Sequence, residues 1–348
     1  MFLHALATAV PAATFTQRQC WEAGQHAPAL RRISRRSQLV LRSILSGDSG
    51  IETRHFALSD IAHAYDLTED ELNAGFRREA PRLAGEALAK ALNQAGVAPA
   101  ELDALFVCTC TGYLCPGVSS YLAEQLGLRP DAVLHDLVGL GCGAAIPTLR
   151  AGSHFLAAQP EAVVATVAVE ICSAAFYLDD DLGVLISACL FGDGAAAAVW
   201  RGRPGPAGWR CHGFRSLHRP DQRDLLRFEV RHGKLRNLLD RSVPAAAAAA
   251  VAELFAGAGE PAPAAVLVHP GGRDVLDAIG EALPDTPLAA SRAVLRACGN
   301  MSSPSVLFVL EEHLRTHPAP DGDLWLASFG AGFSAHSCRL TTQPPPPV

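Results

Sequence analysis

Short apolar runs alternate with alanine-rich segments along this chain, and this alternation constrains the fold more than any other feature. Residues 102–110, 162–171, 195–200 and 264–269 have the length and composition of buried strands, and 323–328 and 333–340 follow as a hairpin separated by glycines. Between these runs, residues 83–95, 119–126 and 144–158 place apolar side chains at helical spacing. Strands that alternate with helices predict an α/β fold whose strands are buried and mostly parallel.

The composition is that of a globular chain and argues against several kinds of partner. Of the 348 residues, 49% are hydrophobic and 18% are charged, and the formal net charge is −6 with no block of like charge. We therefore expect no nucleic-acid partner, and no apolar run reaches the ~18 residues of a membrane span. Residues 1–11 predict a first strand rather than a signal peptide. The ten cysteines do not suggest a disulfide framework, which predicts a cytoplasmic protein.

Cys142 lies between glycines where an apolar run turns into a predicted helix. Glycine on each side leaves the sulfur uncrowded and lets the backbone turn sharply. The helix that follows points free N–H groups and the positive end of its dipole toward the sulfur, which favours the thiolate form. Because the thiolate is the nucleophilic form of cysteine, Cys142 is the candidate nucleophile.

Two more candidates stand far along the chain, each beside glycine at the end of an apolar segment. His269 precedes Pro-Gly-Gly, and Asn300 follows Cys-Gly. A histidine can pair with a thiolate or present an N–H to an oxyanion, and an asparagine amide can supply a second donor. Cysteine, histidine and asparagine together predict an acyl transferase that handles thioesters. The same two donors suit the enolate formed when a malonyl group loses carbon dioxide, so neither a metal nor a redox cofactor is required.

Two other interpretations remain open from the residues alone. His135, seven positions before Cys142, is a rival partner for the thiol or a histidine packed near a strand. Cys108, Cys110 and Cys115 are close enough in sequence to suggest a metal site, but no second cysteine or histidine pair lies nearby at zinc-like spacing. The prediction is therefore that the chain holds no metal.

The chain divides into two predicted halves near a proline- and glycine-rich stretch at residues 201–208. Residues 1–200 contain Cys142, and residues 201–348 contain His269 and Asn300. A site formed where two similar halves meet would explain the wide separation of these residues in sequence.

At these motifs the chain resembles the type III polyketide synthases, the chalcone-synthase-like branch of the thiolase superfamily. The resemblance extends from residue 7 to the final predicted hairpin and is carried by the blocks Gly-Leu-Gly-Cys-Gly at 139–143, Leu-Phe-Gly-Asp-Gly-Ala-Ala at 190–196, Val-His-Pro-Gly-Gly at 268–272, Gly-Asn-Met-Ser-Ser at 299–303 and Ser-Phe-Gly-Ala-Gly-Phe at 328–333. It implies a thiolase-like, five-layered αβαβα fold built from two similar halves, and a homodimer. It also implies that a starter acyl-CoA loads Cys142, that malonyl-CoA extends the chain, and that no cofactor is needed.

The resemblance places four further residues around the substrate. Phe191 matches a family phenylalanine at the junction of the CoA tunnel and the cavity, and Ser302 matches a position that lines the cavity. Ala175 stands where the plant enzymes have a threonine that faces the cavity. Cys115, before Pro116, matches a position that reaches across the dimer toward the partner's cavity.

Departures from the plant pattern suggest the product. No aromatic residue stands in 233–244, where the plant enzymes carry a second phenylalanine, and Ala175 is smaller than threonine. Both differences favour an aliphatic starter and an alkylpyrone or alkylresorcinol product after iterative condensation and cyclisation. The arginines between residues 31 and 42 lie near the family's basic entrance region, although a solvated helix face explains most of them.

Two alternative functions use the same residues. A β-ketoacyl-(acyl carrier protein) synthase of the initiating kind would perform one condensation with the same triad. A catalytically silent relative would bind acyl-CoA or a partner enzyme, but the presence of Cys142, His269 and Asn300 argues against it.

Overall fold

The computed structural model of the chain describes residues 1–57, 61–205, 208–259, 261–317 and 322–342. The strands are β1 (Phe2–Ala9), β2 (Thr14–Thr16), β3 (Thr53–His55), β4 (Ala104–Cys108), β5 (Val133–Leu137), β6 (Val163–Glu170), β7 (Gly194–Arg201), β8 (Trp209–His218), β9 (Leu226–Arg231), β10 (Lys234–Leu239), β11 (Ala265–Val268), β12 (Leu324–Gly330) and β13 (Ser334–Thr342). The α-helices are α1 (Gln17–Gly24), α2 (Pro28–Arg32), α3 (Arg35–Ser46), α4 (Glu69–Ala95), α5 (Val118–Leu126), α6 (Ala145–Ala158), α7 (Leu182–Leu190), α8 (Val243–Ala256), α9 (Arg273–Ala282), α10 (Ala289–Cys298) and α11 (Ser305–Thr316).

Within the described residues, nine strands form one sheet in the order β11-β12-β13-β8-β1-β7-β6-β4-β5. A single register pair, Phe2 with Arg210, joins β1 to β8 in the middle of this sheet. This junction divides the sheet into two portions, β11-β12-β13-β8 and β1-β7-β6-β4-β5. Helices α6 and α11 each contact strands from both portions of the sheet, so the two portions lie on opposite sides of these helices. Helix α4 packs on the outside of one portion and α8 on the outside of the other.

These contacts give five layers, α-β-α-β-α, and the predicted α/β fold class is confirmed. The central apolar core includes Leu149 from α6 and Val309 from α11. One outer core lies under α4, around Leu83 and Leu88, and the other lies under α8 and α9, around Val251 and Ile279. The assignment of residues 1–200 and 201–348 to two similar halves stays a prediction, and residues 206–207 of the connection lie outside the described residues.

Each of the apolar runs predicted as strands forms a strand, and residues 1–11 contain β1. The prediction of mostly parallel strands is wrong. Strand β4 is parallel to β5 and β6, and β11 is parallel to β12, whereas the other described pairs of the large sheet are antiparallel. Strands β6 and β7 are buried on both faces because helices cover both sides, and this burial makes an antiparallel pair look like a parallel one in sequence.

Candidate active site

The turn that carries Cys142 joins the end of β5 to the start of α6. Residues Gly141–Gly143 form a short 3-10 turn, and the φ angle of +55° at Gly141 lies in the left-handed region that favours glycine. Strand β12 packs directly against this turn, so that a Cβ atom at Gly330 would lie 2.5 Å from the backbone nitrogen of Gly143. The turn therefore holds the Cys142 side chain in a buried position at the N-terminal side of α6.

His269 follows the last residue of β11. Its backbone N–H donates to the carbonyl of Ala327 over 2.8 Å, and its ring meets Phe329 edge-on with 5.2 Å between the ring centroids. The ring is buried, and Nδ1 has no hydrogen-bond partner among the described residues. Burial lowers the pKa of His269 to about 3, so the imidazole is neutral at physiological pH.

Asn300 is held by hydrogen bonds on both sides of its amide. Nδ2 donates to the carbonyl of Gly271 over 3.0 Å, and Oδ1 accepts from the backbone N–H of Ser302 over 2.8 Å. The Ser302 donor identifies Oδ1 as the oxygen, which fixes the orientation of the amide. Because Nδ2 carries two hydrogens, one N–H remains available beyond the bond to Gly271.

Cys142, His269 and Asn300 line one cavity with a volume of about 550 Å³. They reach it from three separate segments, and Phe191 lies on the same wall. The structure thus brings the three candidate residues to one space, and their catalytic roles stay predictions at this point.

The protonation state of Cys142 differs from the sequence-based expectation. Burial, as the largest influence, raises the pKa of the Cys142 thiol to about 12, while a hydrogen bond from Ser302 lowers it and the Glu170 charge raises it. In the free protein, burial therefore keeps the Cys142 thiol neutral, beside a cavity that a neutral imidazole also lines.

A network that the sequence analysis missed lies behind the thiol. The hydroxyl of Ser302 donates to Cys142 Sγ over 3.2 Å and lies 3.2 Å from Cys110 Sγ. Ser302 has a φ of +59°, a conformation that is uncommon for residues other than glycine and that collects at functional sites. The buried carboxylate of Glu170 accepts from the backbone N–H groups of Cys110 and Thr111. Glu170 is the last residue of β6, and residues 109–111 follow β4, its parallel neighbour, so the sequence shows their proximity only through the order of strands that it predicts.

Phe191 separates the large cavity from a second, smaller one. The smaller cavity has a volume of about 30 Å³, and Phe191, Ala175 and Ser302 all line it. Arg54 is fully buried and donates from Nη1 to the carbonyls of Ala188 and Phe191, at 2.8 and 2.9 Å, so it fixes the backbone that carries this phenylalanine.

Cys115 and His135 do not meet these cavities. Cys115 is exposed in this single chain and lines neither cavity beside Cys142, so its predicted reach across a dimer stays a prediction. His135 is exposed on β5 and stacks on Phe106, with 5.3 Å between the ring centroids. The alternative pairing of His135 with Cys142 is therefore not supported. Among the described residues, no cluster of histidine, cysteine, aspartate or glutamate could hold a metal ion.

Comparison with known protein families covers most of the chain. Residues 18–205 match the family described as FAE1/Type III polyketide synthase-like protein, and residues 232–334 match the chalcone and stilbene synthases, C-terminal domain. The chain belongs to the type III polyketide synthase family. It is therefore an acyltransferase of the chalcone-synthase-like kind, which confirms the resemblance drawn from its motifs.

Relatives and solved structures agree with the family. The 1,3,6,8-tetrahydroxynaphthalene synthase of Streptomyces peucetius subsp. caesius is 34% identical over 312 residues, which cover 85% of this chain and 82% of the relative. The 3,5-dihydroxyphenylacetyl-CoA synthase of Streptomyces toyocaensis is 32% identical over 307 residues, which cover 82% of this chain and 78% of the relative.

Among solved structures, the tetrahydroxynaphthalene synthase of Streptomyces coelicolor A3(2) superimposes with a TM-score of 0.87 at 28% identity, covering 99% of this chain and 100% of its own. A polyketide synthase of the brown alga Ectocarpus siliculosus gives a TM-score of 0.90 at 25% identity, covering 98% of each chain. These similarities show that this polyketide synthase has the thiolase-like fold of the family.

Proposed function

We propose that this polyketide synthase extends an acyl group held on Cys142 by repeated decarboxylative condensation with malonyl-CoA. The observation that carries the proposal is the meeting of Cys142, His269 and Asn300 on the wall of one cavity. A nucleophile, a base and an amide donor in a buried space are the groups that thioester chemistry needs.

Loading begins with a neutral Cys142 thiol and a neutral His269 imidazole. As Cys142 Sγ attacks the thioester carbonyl of the acyl-CoA, His269 accepts the thiol proton. The bond from the carbonyl carbon to the CoA sulfur then breaks, and that sulfur leaves with the proton from His269. The acyl group is now a thioester of Cys142, and the imidazole is neutral again.

Extension uses His269 together with Asn300. Malonyl-CoA loses carbon dioxide, and the electron pair of the broken carbon–carbon bond forms an enolate. The enolate oxygen is held by the remaining N–H of Asn300 and by His269 in the tautomer that carries its proton on the ring nitrogen facing the cavity. The enolate carbon attacks the acyl carbon on Cys142, the sulfur leaves as a thiolate, and the chain, longer by one malonyl-derived unit, is carried on CoA. The Cys142 thiolate then attacks the thioester carbonyl of this extended chain, and the CoA sulfur leaves as a thiolate that takes up a proton from solvent, so the chain is again held on Cys142 for the next round.

The cavity mouth offers cations for the CoA phosphates. Arg241 and Arg273 line the large cavity, whereas none of the arginines between residues 31 and 42 does. Arg273 also approaches Asp48 at 3.8 Å and Asp274 at 3.4 Å, so a phosphate would compete with these carboxylates. We therefore assign phosphate binding to Arg241 and Arg273 rather than to the arginine-rich stretch.

The starter depends on the space beyond Phe191. The sequence predicted an alkyl starter because Ala175 is small, yet the cavity that Ala175 lines is only about 30 Å³, which holds little more than a water-sized group. The relatives are named for a tetrahydroxynaphthalene and a dihydroxyphenylacetyl-CoA, and neither name contains an alkyl chain. We favour a short starter, the malonyl group itself, and an aromatic product. The alkylpyrone or alkylresorcinol product predicted from the sequence is the alternative.

The family assignment and the relatives do not favour an initiating β-ketoacyl-(acyl carrier protein) synthase. No helix in the described part of the chain is both long and apolar enough to cross a bilayer. A cytoplasmic location and the lack of a cofactor other than the CoA substrates remain predictions.

A homodimer is the proposed assembly. Strand β5 is the last strand of the sheet, so one of its edges has no strand beside it among the described residues. Near this edge, large apolar side chains are solvent-exposed in the single chain: Leu134 at 37%, Val138 at 57% and Tyr113 at 78%. An edge strand with exposed apolar side chains favours pairing with a second copy.

The proposed nucleophile is tested by Cys142→Ala. We expect purified protein to form polyketides from malonyl-CoA, with or without an added acyl-CoA, and the variant to form none. Mass spectrometry of the products identifies the starter from a panel of acyl-CoA esters. Polyketide formation by the Cys142→Ala variant would remove Cys142 from the mechanism, and exclusive use of long acyl-CoA esters would restore the alkyl starter.

A further inference from the structure

The arginine-rich stretch of residues 31–42 has no part in the proposed mechanism. Five arginines lie between Glu22 and Asp48, and no aspartate or glutamate stands among them. Only one of the five forms an ion pair among the described residues, Arg32 with Asp66 over 2.8 Å. A chain with a formal net charge of −6 therefore has a local positive charge here that its own carboxylates leave largely uncompensated.

Helix α3 places this charge on one side. Arg35, Arg36, Leu39 and Arg42 are exposed and stand at helical spacing, whereas the opposite side of the helix is buried. These four residues are called the arginine face below. Leu39 is 51% exposed between the arginines. An apolar side chain among cations suits a partner whose surface is acidic around an apolar contact.

The arginine face ends at the mouth of the large cavity that Cys142 lines. Ser43, the residue after Arg42, lines this cavity, as do residues 47–49 beyond the end of α3. Leu182 is 51% exposed, lines the same cavity and begins α7, which packs against α3. A partner seated on the arginine face would therefore lie beside the opening that leads to the proposed nucleophile.

The mouth itself is not basic. The charged residues that line the cavity are exposed and so mark its mouth, and they are Asp48, Asp240, Arg241, Arg273 and Asp274. A CoA ester carries a pyrophosphate and a 3′-phosphate, whereas the phosphopantetheine arm of a carrier protein carries a single phosphodiester. Because carboxylates outnumber guanidiniums at the mouth, the smaller charge of the arm suits it better, while an acidic protein surface suits the arginine face.

We propose that the arginine face docks an acyl carrier protein, an acidic protein whose phosphopantetheine arm enters the cavity and delivers the starter acyl group to Cys142. This inference rests on the proposed function and adds the partner that supplies the first acyl group, while malonyl-CoA remains the extender. Cys142 Sγ attacks the thioester carbonyl of the arm, and His269 accepts the thiol proton. The bond from the carbonyl carbon to the sulfur of the arm then breaks, and that sulfur leaves with the proton from His269.

The test compares two donors of the same acyl group. Purified protein is mixed with malonyl-CoA, or with a bacterial acyl carrier protein that bears malonyl on its arm, and acylation of the Cys142 peptide is followed over time by mass spectrometry. We expect both donors to load the wild-type protein. At low salt, Arg36→Glu/Arg42→Glu should load at least tenfold more slowly from the carrier protein, because like charges repel, and within about twofold of wild type from malonyl-CoA.

Arg203→Glu/Arg210→Glu is the matched control, because both arginines are exposed, neither lines the cavity and the change in net charge is the same. It should load at the wild-type rate from either donor. A melting curve confirms that each variant is folded. If the charge reversal on α3 impairs folding, Arg36→Gln/Arg42→Gln replaces it, since glutamine removes the charge and favours a helix almost as well as arginine.

Three results would overturn the docking surface. The first is a wild-type protein that loads from malonyl-CoA and not from the carrier protein, and the second is an α3 variant that loads from the carrier protein at the wild-type rate. The third is an equal loss of loading from both donors in the folded α3 variant, which would assign these arginines to the phosphates of CoA. A wild-type protein that loads from neither donor would instead contradict the proposed function, so the two failures are distinguishable.

Discussion

At Cys142, burial and the helix N-terminus act on the thiol in opposite directions. Burial raises its pKa to about 12 and lowers the pKa of His269 to about 3, so both groups are neutral at pH 7. A neutral thiol reacts only through its small thiolate fraction unless a base removes its proton during attack.

This protonation state predicts a steep pH dependence of alkylation. The thiolate fraction of Cys142 should rise about tenfold per pH unit between pH 7 and pH 9, because this whole pH range lies below the thiol pKa of about 12. Iodoacetamide labelling in the absence of substrate, followed by peptide mass spectrometry, measures the rate at Cys142. A rate that stays constant over this range would show that the thiolate is already formed, as the helix N-terminus alone predicts.

Asn300 is predicted to act as a donor to the enolate. Asn300→Ala should lower the rate of malonyl-CoA decarboxylation by ~10²–10³, the usual effect of losing one oxyanion donor. The measurement is carbon dioxide release, with a melting curve to confirm that the variant is folded. An unchanged rate would remove Asn300 from the mechanism.

Their positions beside glycine, together with the motif resemblance, made Cys142, His269 and Asn300 the candidates from the sequence, and the three line one cavity. The same reasoning did not predict the contacts of Ser302, Cys110 and Glu170. The hydrogen bond from Ser302 to Cys142 depends on a positive φ, and the Glu170 contacts depend on which strands are neighbours. Neither property follows from residue type, and the motif resemblance identified Ser302 only as a lining residue.

At the scale of elements, the close packing of β12 on the Cys142 turn gives a sharp test. A Cβ at Gly330 would lie 2.5 Å from Gly143 N and 2.9 Å from Cys142 N, so Gly330→Ala should displace the turn. We expect at least a tenfold loss of condensation rate in a protein that still folds. Gly75→Ala is the control: a Cβ there meets no atom within 4 Å, and alanine favours the helix by up to ~1 kcal/mol. Equal activities of the two variants would contradict the role assigned to this packing.

Elements with long apolar runs were predicted well, and polar or interrupted ones were not. The helix predicted over 83–95 is the C-terminal half of α4, which begins at a capping box of Thr68 and Glu71 and continues through Pro81. Proline usually ends a helical pattern, so the first half was missed. The β9–β10 hairpin was also missed because its strands are only partly buried and carry several charged residues.

At the scale of the whole molecule, the exposed edge of β5 predicts association of two copies. Replacing an apolar residue at this edge with a charge should prevent it, because a like charge would face its copy across the interface. We expect the wild-type protein to sediment as a dimer and Leu134→Glu to sediment as a monomer. A wild-type monomer would contradict the proposed assembly, and with it the predicted role of Cys115 in a partner's cavity.

The layered architecture explains how distant residues form one site. Cys142 stands before a central helix, His269 follows an edge strand, and Asn300 follows α10, so only the complete fold brings them to one cavity. The sequence predicted the α/β class and the three residues that meet in this cavity, whose catalytic roles stay proposals. It did not predict the strand directions or the cavity volumes, because these depend on many side chains at once.

The most direct test of this account is to find where the acyl group is attached during turnover. The protein is mixed with malonyl-CoA, quenched in acid and digested, and each cysteine-containing peptide is examined by mass spectrometry. The account predicts an acyl group on the peptide that contains Cys142 and on no other. Polyketide formation with the acyl group on a different cysteine would contradict it.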